Sequence, residues 1–336
     1  MKNPLISIVM PAYGVEKFIG EAIESVLSQD YGNWELIVVD DGTKDNSAEI
    51  AKFYAVKDSR VRVVSKSNGG LSDARNYGLN FVSGDYVHFF DSDDYIEQSY
   101  YSDLVSCLAT DSPDVLISGF TTEHRDCNNS KIAQSVFKPQ SSKDIPAKSL
   151  LKFVDFAWNK LFRRQFIIEK GLKYERGLYL IEDCEFMSRV LRLSPIIKVS
   201  DSAGYHYVNR PRITLSKAFD INTLSFVNRR IDYTRSILSH WGYDDETIKD
   251  VIELVKFSNI KFLFNLLFTS SETHKYNKIK EILNLSNLQN VDLSHTKLSL
   301  KDKLIYYSIR FRMTLLLQYV YSVKKYRITA PQDQNA

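Results

Sequence analysis

The strongest constraint on this chain is an alternation. A compact apolar run, Leu5 to Met10, is followed by Val15, Phe18, Ile19, Ala22, Ile23, Val26 and Leu27, spaced mainly three and four apart. The first pattern is that of a buried strand and the second that of an amphipathic helix. The couplet recurs. Trp34 to Val39 reads as a strand and Ala48 to Tyr54 as a helix, Arg62 to Ser65 as a strand and Ser72 to Val82 as a helix, and Tyr86 to Phe90 as a further strand. Strands alternating with helices over short connections build a parallel sheet covered on both faces, the α/β class. Ligands of such sheets bind beyond the carboxyl ends of the strands.

Beyond about residue 120 the rhythm changes. Thr121 to Lys148 is polar and reads as loop, Leu150 to Gly171 and Glu182 to Leu193 read as helices, and Ile196 to Val199 as a strand after Pro195. From Asp220 to Arg327, long segments rich in Leu, Ile, Phe, Tyr and Lys read as helices. This places a boundary near residues 215 to 220, with an α/β domain over 1–218 and a helical domain over 219–330.

Composition removes several classes. Hydrophobic residues are 44% and charged residues 25% of 336, enough for sizeable cores and unlike a disordered or low-complexity chain. Lys plus Arg number 44 against 41 acids, so a net charge of +3 gives no general attraction to nucleic acid. Cys107, Cys127 and Cys184 are scattered, without a C-x-x-C pair, which suits a reducing cytosol better than a disulfide framework or a zinc site. The apolar run after Met1 is too brief for a signal peptide. Met313 to Val323 falls short of the ~20 residues that span a bilayer.

The chemistry concentrates at the ends of the expected strands. Asp40 and Asp41 follow the strand ending at Val39, and Asp91, Ser92, Asp93 and Asp94 follow the one ending at Phe90. Carboxylates gathered at one sheet edge repel one another and need a cation. Ligation by oxygen alone favours Mg²⁺ or Mn²⁺, which commonly share their coordination with substrate phosphates. Each cluster taken singly has a plainer reading, as an Asp turn or as a helix cap at Thr43 or Ser47.

Five segments in order resemble glycosyltransferase family 2, the inverting nucleotide-sugar transferases of GT-A fold. They are Ser7 to Tyr13, Val38 to Thr43 with Asp45 and Ser47, Asn68 to Asn76, Asp91 to Asp94, and Glu182-Asp183. A sixth, Trp158 to Phe162, is similar to a segment frequent among members that build bacterial surface glycans. The resemblance covers about the first 215 residues and implies a GT-A catalytic domain followed by a helical one. It also implies a UDP-sugar donor, a glycan acceptor (lipid-linked, protein-linked or free) and a Mn²⁺ or Mg²⁺ cofactor.

Carried over residue by residue, Pro11, Ala12 and Tyr13 flank the uracil. Asp41 accepts its N3–H, with Asp40 as neighbour. Arg75 is implied to face the base or the phosphates, Asn76 and Gly69 to shape that loop, and Asn68 to belong with them to the nucleotide site. Asp91 contacts ribose or sugar beside Ser92, and Asp93 with Asp91 forms the metal motif. Asp183 is implied as the base that removes the acceptor proton, with Glu182 orienting it. His206, Arg210 or Arg212 is implied at the phosphates or metal. Plainer readings stand beside these: a helix salt bridge for Arg75, and an acidic first turn, favoured by the helix dipole, for Glu182-Asp183.

Gly14 stands where the family has Asn, and Thr43 where it usually has Ser. Neither the transmembrane helices nor the Gln-x-x-Arg-Trp motif of processive synthases is present, so one sugar per encounter is expected. A nucleotidyltransferase and a catalytically silent sugar-nucleotide-binding scaffold are the alternatives. The first lacks its Gly-rich basic loop after Met10, and the second would be expected to lose Asp93 or Asp183. Finally, Lys303, Arg310, Arg312, Lys324, Lys325 and Arg327 alternate with Tyr306, Tyr307, Phe311, Tyr319, Tyr321 and Tyr326 without an acid. Such a segment suits either a peripheral contact with an anionic membrane, on the cytoplasmic side, or a helix that packs its apolar stripe on the catalytic domain with Lys and Arg solvated outside.

Overall fold

A computed structural model describes residues 3–108, 112–126, 129, 131–137, 155–178, 181–194, 196–210, 222–269, 275–283, 291–293 and 298–317. The chain forms two compact units, Met1–Ile213 and Thr214–Ala336.

In the first unit, β1 (Ile6–Ala12) is buried at every position and pairs in parallel with β2 (Trp34–Asp40) on one side and β4 (Tyr86–Phe89) on the other. β3 (Val61–Ser65) extends the sheet beyond β2. Helices α1 (Ile19–Leu27), α2 (Ser47–Lys57) and α3 (Leu71–Gly78) follow these strands in the expected order, although α3 ends at Gly78, short of the expected Val82. α3 lies against β1 and β2, and its last residue shows how closely. A Cβ at Gly78 would stand 2.4 Å from a Val9 methyl and 3.0 Å from a Val39 methyl, so only glycine lets the helix settle there.

The rest of the sheet departs from the sequence expectation. Its order is β10-β6-β9-β4-β1-β2-β3, with β6 (Val115–Ile117), β9 (Lys160–Arg163) and β10 (Ile197–Val199). β9 runs antiparallel between β4 and β6, so the sheet is mixed, not wholly parallel. The helix expected over Leu150 to Gly171 is therefore corrected to this strand and a short helix α5 (Arg164–Glu169); 150–154 lie outside the described residues. The reason is burial: Lys160, Leu161 and Phe162 are enclosed, and a short buried apolar run carries no period that separates strand from helix.

A second sheet of order β5-β11-β7-β8 joins β5 (Tyr95–Ile96), β7 (Phe120–Arg125), β8 (Lys131–Phe137) and β11 (Tyr205–Asn209). β7 and β8 replace much of the expected polar loop. The polarity of β7 is internally satisfied: the buried Glu123 carboxylate takes bonds from Tyr95 and Arg125 and pairs with Lys131. α4 (Tyr100–Leu108) and α6 (Glu182–Leu193) complete the unit. The second unit contains α7 (Asn222–His240), α8 (Asp245–Thr269), α9 (Lys275–Leu283) and α10 (Leu300–Arg310). None of the described helices is long and apolar enough to cross a membrane.

Candidate active site

The in-register pairing of Ala12 with Asp40 brings the carboxyl ends of β1 and β2 level, and the Asp41 N–H donates to the Ala12 carbonyl at 3.1 Å. The loops beyond are laced together. Gly14, Val15 and Glu16 donate their N–H groups to Thr43 Oγ1, Ser47 Oγ and Asp45 Oδ2, each at 3.0 Å. Burial opposes ionisation of Asp45, yet hydrogen bonds led by those from Ser47 and Thr43 bring its pKa down to about 2. Thr43 thus performs the hydroxyl's role, and Gly14, at φ 69°, meets the turn's backbone demand. Pro11 and Ala12 are buried, while Tyr13 is 49% exposed with its ring available for stacking.

Asp40 accepts from the Thr43 N–H at 3.0 Å. Asp41 is 3% exposed, and its carboxylate already holds the next loop, receiving Lys66 Nζ at 2.6 Å, the Gly69 N–H at 3.0 Å and the Gly70 N–H at 2.8 Å. Asn68 Nδ2 donates to the Asp41 carbonyl. Lys66, which sequence reasoning missed, also pairs with Asp73 at 2.7 Å. Its only sequence signal is its place just before the Asn68-Gly69-Gly70 turn.

Arg75 lies at the centre, 1% exposed. Its guanidinium neither faces solvent nor makes only a local helix bridge: Nη1 bonds Asp183 Oδ1 at 2.7 Å and Nη2 bonds Asp91 Oδ1 at 2.8 Å. Burial disfavours its charge, but Asp183, Tyr174 and Asp91 hold its pKa well above the ordinary value. Asp91, by contrast, is raised by burial and by Asp183 in spite of Arg75. Asp183 Oδ2 accepts the Ala157 N–H at 3.2 Å, so the turn before β9 helps to seat this carboxylate. Glu182 begins α6 beside it. Burial first, then the charge of Asp183, raise its pKa to about 7, and its buried Oε2 has no hydrogen-bond partner. The buried Tyr174 hydroxyl is likewise unpartnered, with its ring stacked on Phe186 at 4.2 Å and the Arg75 guanidinium 5.0 Å from its centroid.

The acidic motif after β4 divides its labour. Asp94 is structural, accepting the Tyr205 hydroxyl and the Val208 N–H, each at 2.8 Å. Ser92 is buried. Burial and the charge of Asp91 raise the pKa of Asp93 to about 6 against the opposing charge of Arg210. No three His, Cys, Asp or Glu side chains among the described residues converge as a metal cage. A single carboxylate beside Asp91 still fits a hard divalent cation whose remaining ligands are waters and phosphate oxygens.

The two described candidates for phosphate ligands are placed differently. Along β11, Tyr205 and Tyr207 stack on Trp158 at 4.6 and 5.3 Å, and alternation turns His206 to the other face. There it bonds Glu97 at 3.0 Å and stacks on Tyr95 at 4.3 Å. Arg210 does lie at the motif, but it donates to the Asp93 main-chain carbonyl and to Asn129 Oδ1. Arg212 lies outside the described residues.

Residues 7–170 match the profile of Glycosyl transferase family 2. The chain is 27% identical over 326 residues to the uncharacterized glycosyltransferase EpsJ of Bacillus subtilis, covering 94% of this chain and 95% of EpsJ. It is 34% identical over 212 residues to the putative glycosyltransferase EpsH of the same organism, covering 62% of this chain and 61% of EpsH. Identity to glycosyltransferase GlyA of Streptococcus pneumoniae is 28% over 255 residues, covering 71% of this chain but 35% of GlyA. Among solved structures, TarS of S. aureus with UDP-GlcNAc superposes at a TM-score of 0.63 with 20% identity, over 96% of this chain and 91% of that one. The mannosyltransferase PcManGT of Pyrobaculum calidifontis, with GDP-Man and Mn²⁺, gives 0.50 with 12% identity, over 99% and 88%. At these identities the structures show a common GT-A fold. With the five motifs placed around one sheet edge, the chain belongs to glycosyltransferase family 2 and is an enzyme of that family.

Proposed function

We propose that this enzyme transfers one sugar at a time from a UDP-sugar to a glycan acceptor, with inversion and with Mn²⁺ or Mg²⁺, in the synthesis of a bacterial surface polysaccharide or glycoconjugate. Its bacterial relatives and the nucleotide-sugar complexes of its fold neighbours support the substrate class. The observation that carries the mechanism is the Asp91–Arg75–Asp183 chain, which ties the donor-side carboxylate to the base through one buried cation.

Tyr13 would stack on the uracil, and the remaining lone pair of Asp41 would accept its N3–H. Asp93 would hold the divalent cation, which when bound supplies charge neutralisation for the departing diphosphate. Asp183, fixed by Arg75 and the Ala157 N–H, would take the acceptor hydroxyl proton. The acceptor oxygen then bonds the anomeric carbon as the bond to the β-phosphate oxygen breaks and UDP leaves with that electron pair. One base on the face opposite the leaving group makes the displacement inverting.

A second reading exchanges the two acids of α6. Glu182 has a pKa near neutrality and an uncommitted oxygen, both suited to a general base. Transfer and UDP release, measured against a panel of UDP-sugars with and without Mn²⁺, separate the two. Asp183→Asn should lower transfer ~10²–10⁴-fold with UDP affinity unchanged, and Glu182→Gln should lower it less. The reverse order of losses would assign the base to Glu182. Failure to bind any nucleotide sugar would remove the UDP reading.

A further inference from the structure

α10 has two apolar faces where a packed helix needs one. Ile305, Tyr306 and Ile309 are buried within the second unit, and the Tyr306 ring lies edge-on to Phe257 at 6.3 Å. On the opposite side Leu300, Leu304, Tyr307 and Phe311 stand at i, i+4, i+7 and i+11 as a single stripe. They are 88%, 44%, 51% and 66% exposed, and the rings of Tyr307 and Phe311 stack on each other at 6.3 Å. Met313 and Leu315 continue the exposed apolar surface past the end of the helix.

The polar setting of the stripe says what covers it. At 100° per residue, Lys303 and Arg310 flank it on one side and Lys301 on the other, and all three are exposed. The one acid of the helix, Asp302, is directed away, where its carboxylate pairs with Lys261 and accepts from Ser299. Arg310 donates to the Tyr306 hydroxyl at 2.7 Å and also feels Asp292, which does not stand on the stripe's helix. The outer face is therefore apolar at its centre and cationic at its rims, a combination that matches the acyl boundary and anionic headgroups of a lipid surface.

We propose that the outer face of α10 is a peripheral docking site for an anionic lipid bilayer, with Leu300, Leu304, Tyr307 and Phe311 entering the interface and Lys301, Lys303 and Arg310 meeting the headgroups. A buried apolar stripe and a lipid-facing one then lie on opposite faces of the same helix. The proposal rests on the helical unit alone, independently of the donor and the catalytic base.

The test is co-sedimentation of the full chain with vesicles of equal parts phosphatidylcholine and phosphatidylglycerol, and with phosphatidylcholine alone. Binding to the anionic vesicles only is expected, weakening with added salt. The pair Lys301→Glu with Lys303→Glu should weaken it by roughly thirtyfold or more, equivalent to ~2 kcal/mol at ~1 kcal/mol per basic residue. Leu304→Ser with Phe311→Ser should weaken it at least ~10-fold, with an unchanged melting temperature because both sites are exposed. Equal binding to both vesicle types, or to neither, would overturn the proposal. So would a wild-type dimer in gel filtration that the Ser pair converts to monomer, which would make the face a self-interface.

Discussion

Arg75 is where residue chemistry weighs most. A guanidinium offers rigid, divergent donors, so one side chain serves Asp183 and Asp91 together. A lysine has the charge but only one compact ammonium. Arg75→Lys should therefore keep a cation in the cluster yet release one carboxylate, reorienting Asp183, the proposed base, or Asp91. Transfer is expected to fall about a hundredfold, the scale of a misplaced catalytic group, with UDP affinity changed by only a few-fold. Arg75→Met should cost more in stability, about 3–5 kcal/mol, because it leaves two carboxylates facing each other without their counter-ion. Transfer kinetics, UDP titration and thermal unfolding of the two variants check this. Wild-type transfer by Arg75→Lys would show that the bridge is dispensable.

At the scale of elements, the site is built by loops pressed together beyond the strand ends, and Gly42 is the tightest point. It sits at φ 67°, and a Cβ there would stand 2.9 Å from the Asn68 backbone nitrogen. Gly42→Ala adds left-handed backbone strain to a clash with main chain, which cannot swing away as a side-chain tip can. A stability loss of about 1–3 kcal/mol is expected, with weaker UDP binding because the Asn68-Gly69-Gly70 turn must shift off Asp41. Denaturant unfolding and a UDP titration read both effects, and unchanged UDP affinity would detach that turn from the nucleotide site. These loops were legible in the sequence because turn residues and acids follow clear amphipathic couplets, and α6 matches its expected limits, Glu182 to Leu193. Legibility failed where chemistry replaced pattern. β7 is polar because Glu123 and Arg125 satisfy each other, and β9 is too short and too buried to show a period. Likewise, the motif located Arg75 but not its two partners, since Asp91 and Asp183 lie 16 and 108 residues away in sequence and meet only through the fold.

For the whole molecule, the crowded carboxylates and one buried histidine set opposing pH dependences. Burial lowers the His88 pKa from 6.5 to about 4, with the ring held between the Tyr101 hydroxyl and the Trp158 carbonyl. Between those values the unfolded chain binds the proton and the folded chain does not, so this contribution falls as the pH falls from about 6.5 to 4. Asp93 runs the other way. Its pKa rises from 3.8 to about 6, so the folded state holds the extra proton and stability from this group is lost as the pH rises through that window. Glu182 behaves alike between 4.5 and about 7. In the free protein the slopes partly cancel, and the melting temperature alone hides both. Adding UDP with Mn²⁺ separates them, because a cation selects the ionised carboxylate and leaves His88 untouched. The rise in melting temperature that Mn²⁺-UDP produces should therefore grow steadily from about pH 4 to about pH 6 and then level off. In Asp93→Asn it should be small and nearly independent of pH. A wild-type shift that is flat across this range, or an Asp93→Asn shift that climbs with pH as the wild type does, would take the cation away from Asp93.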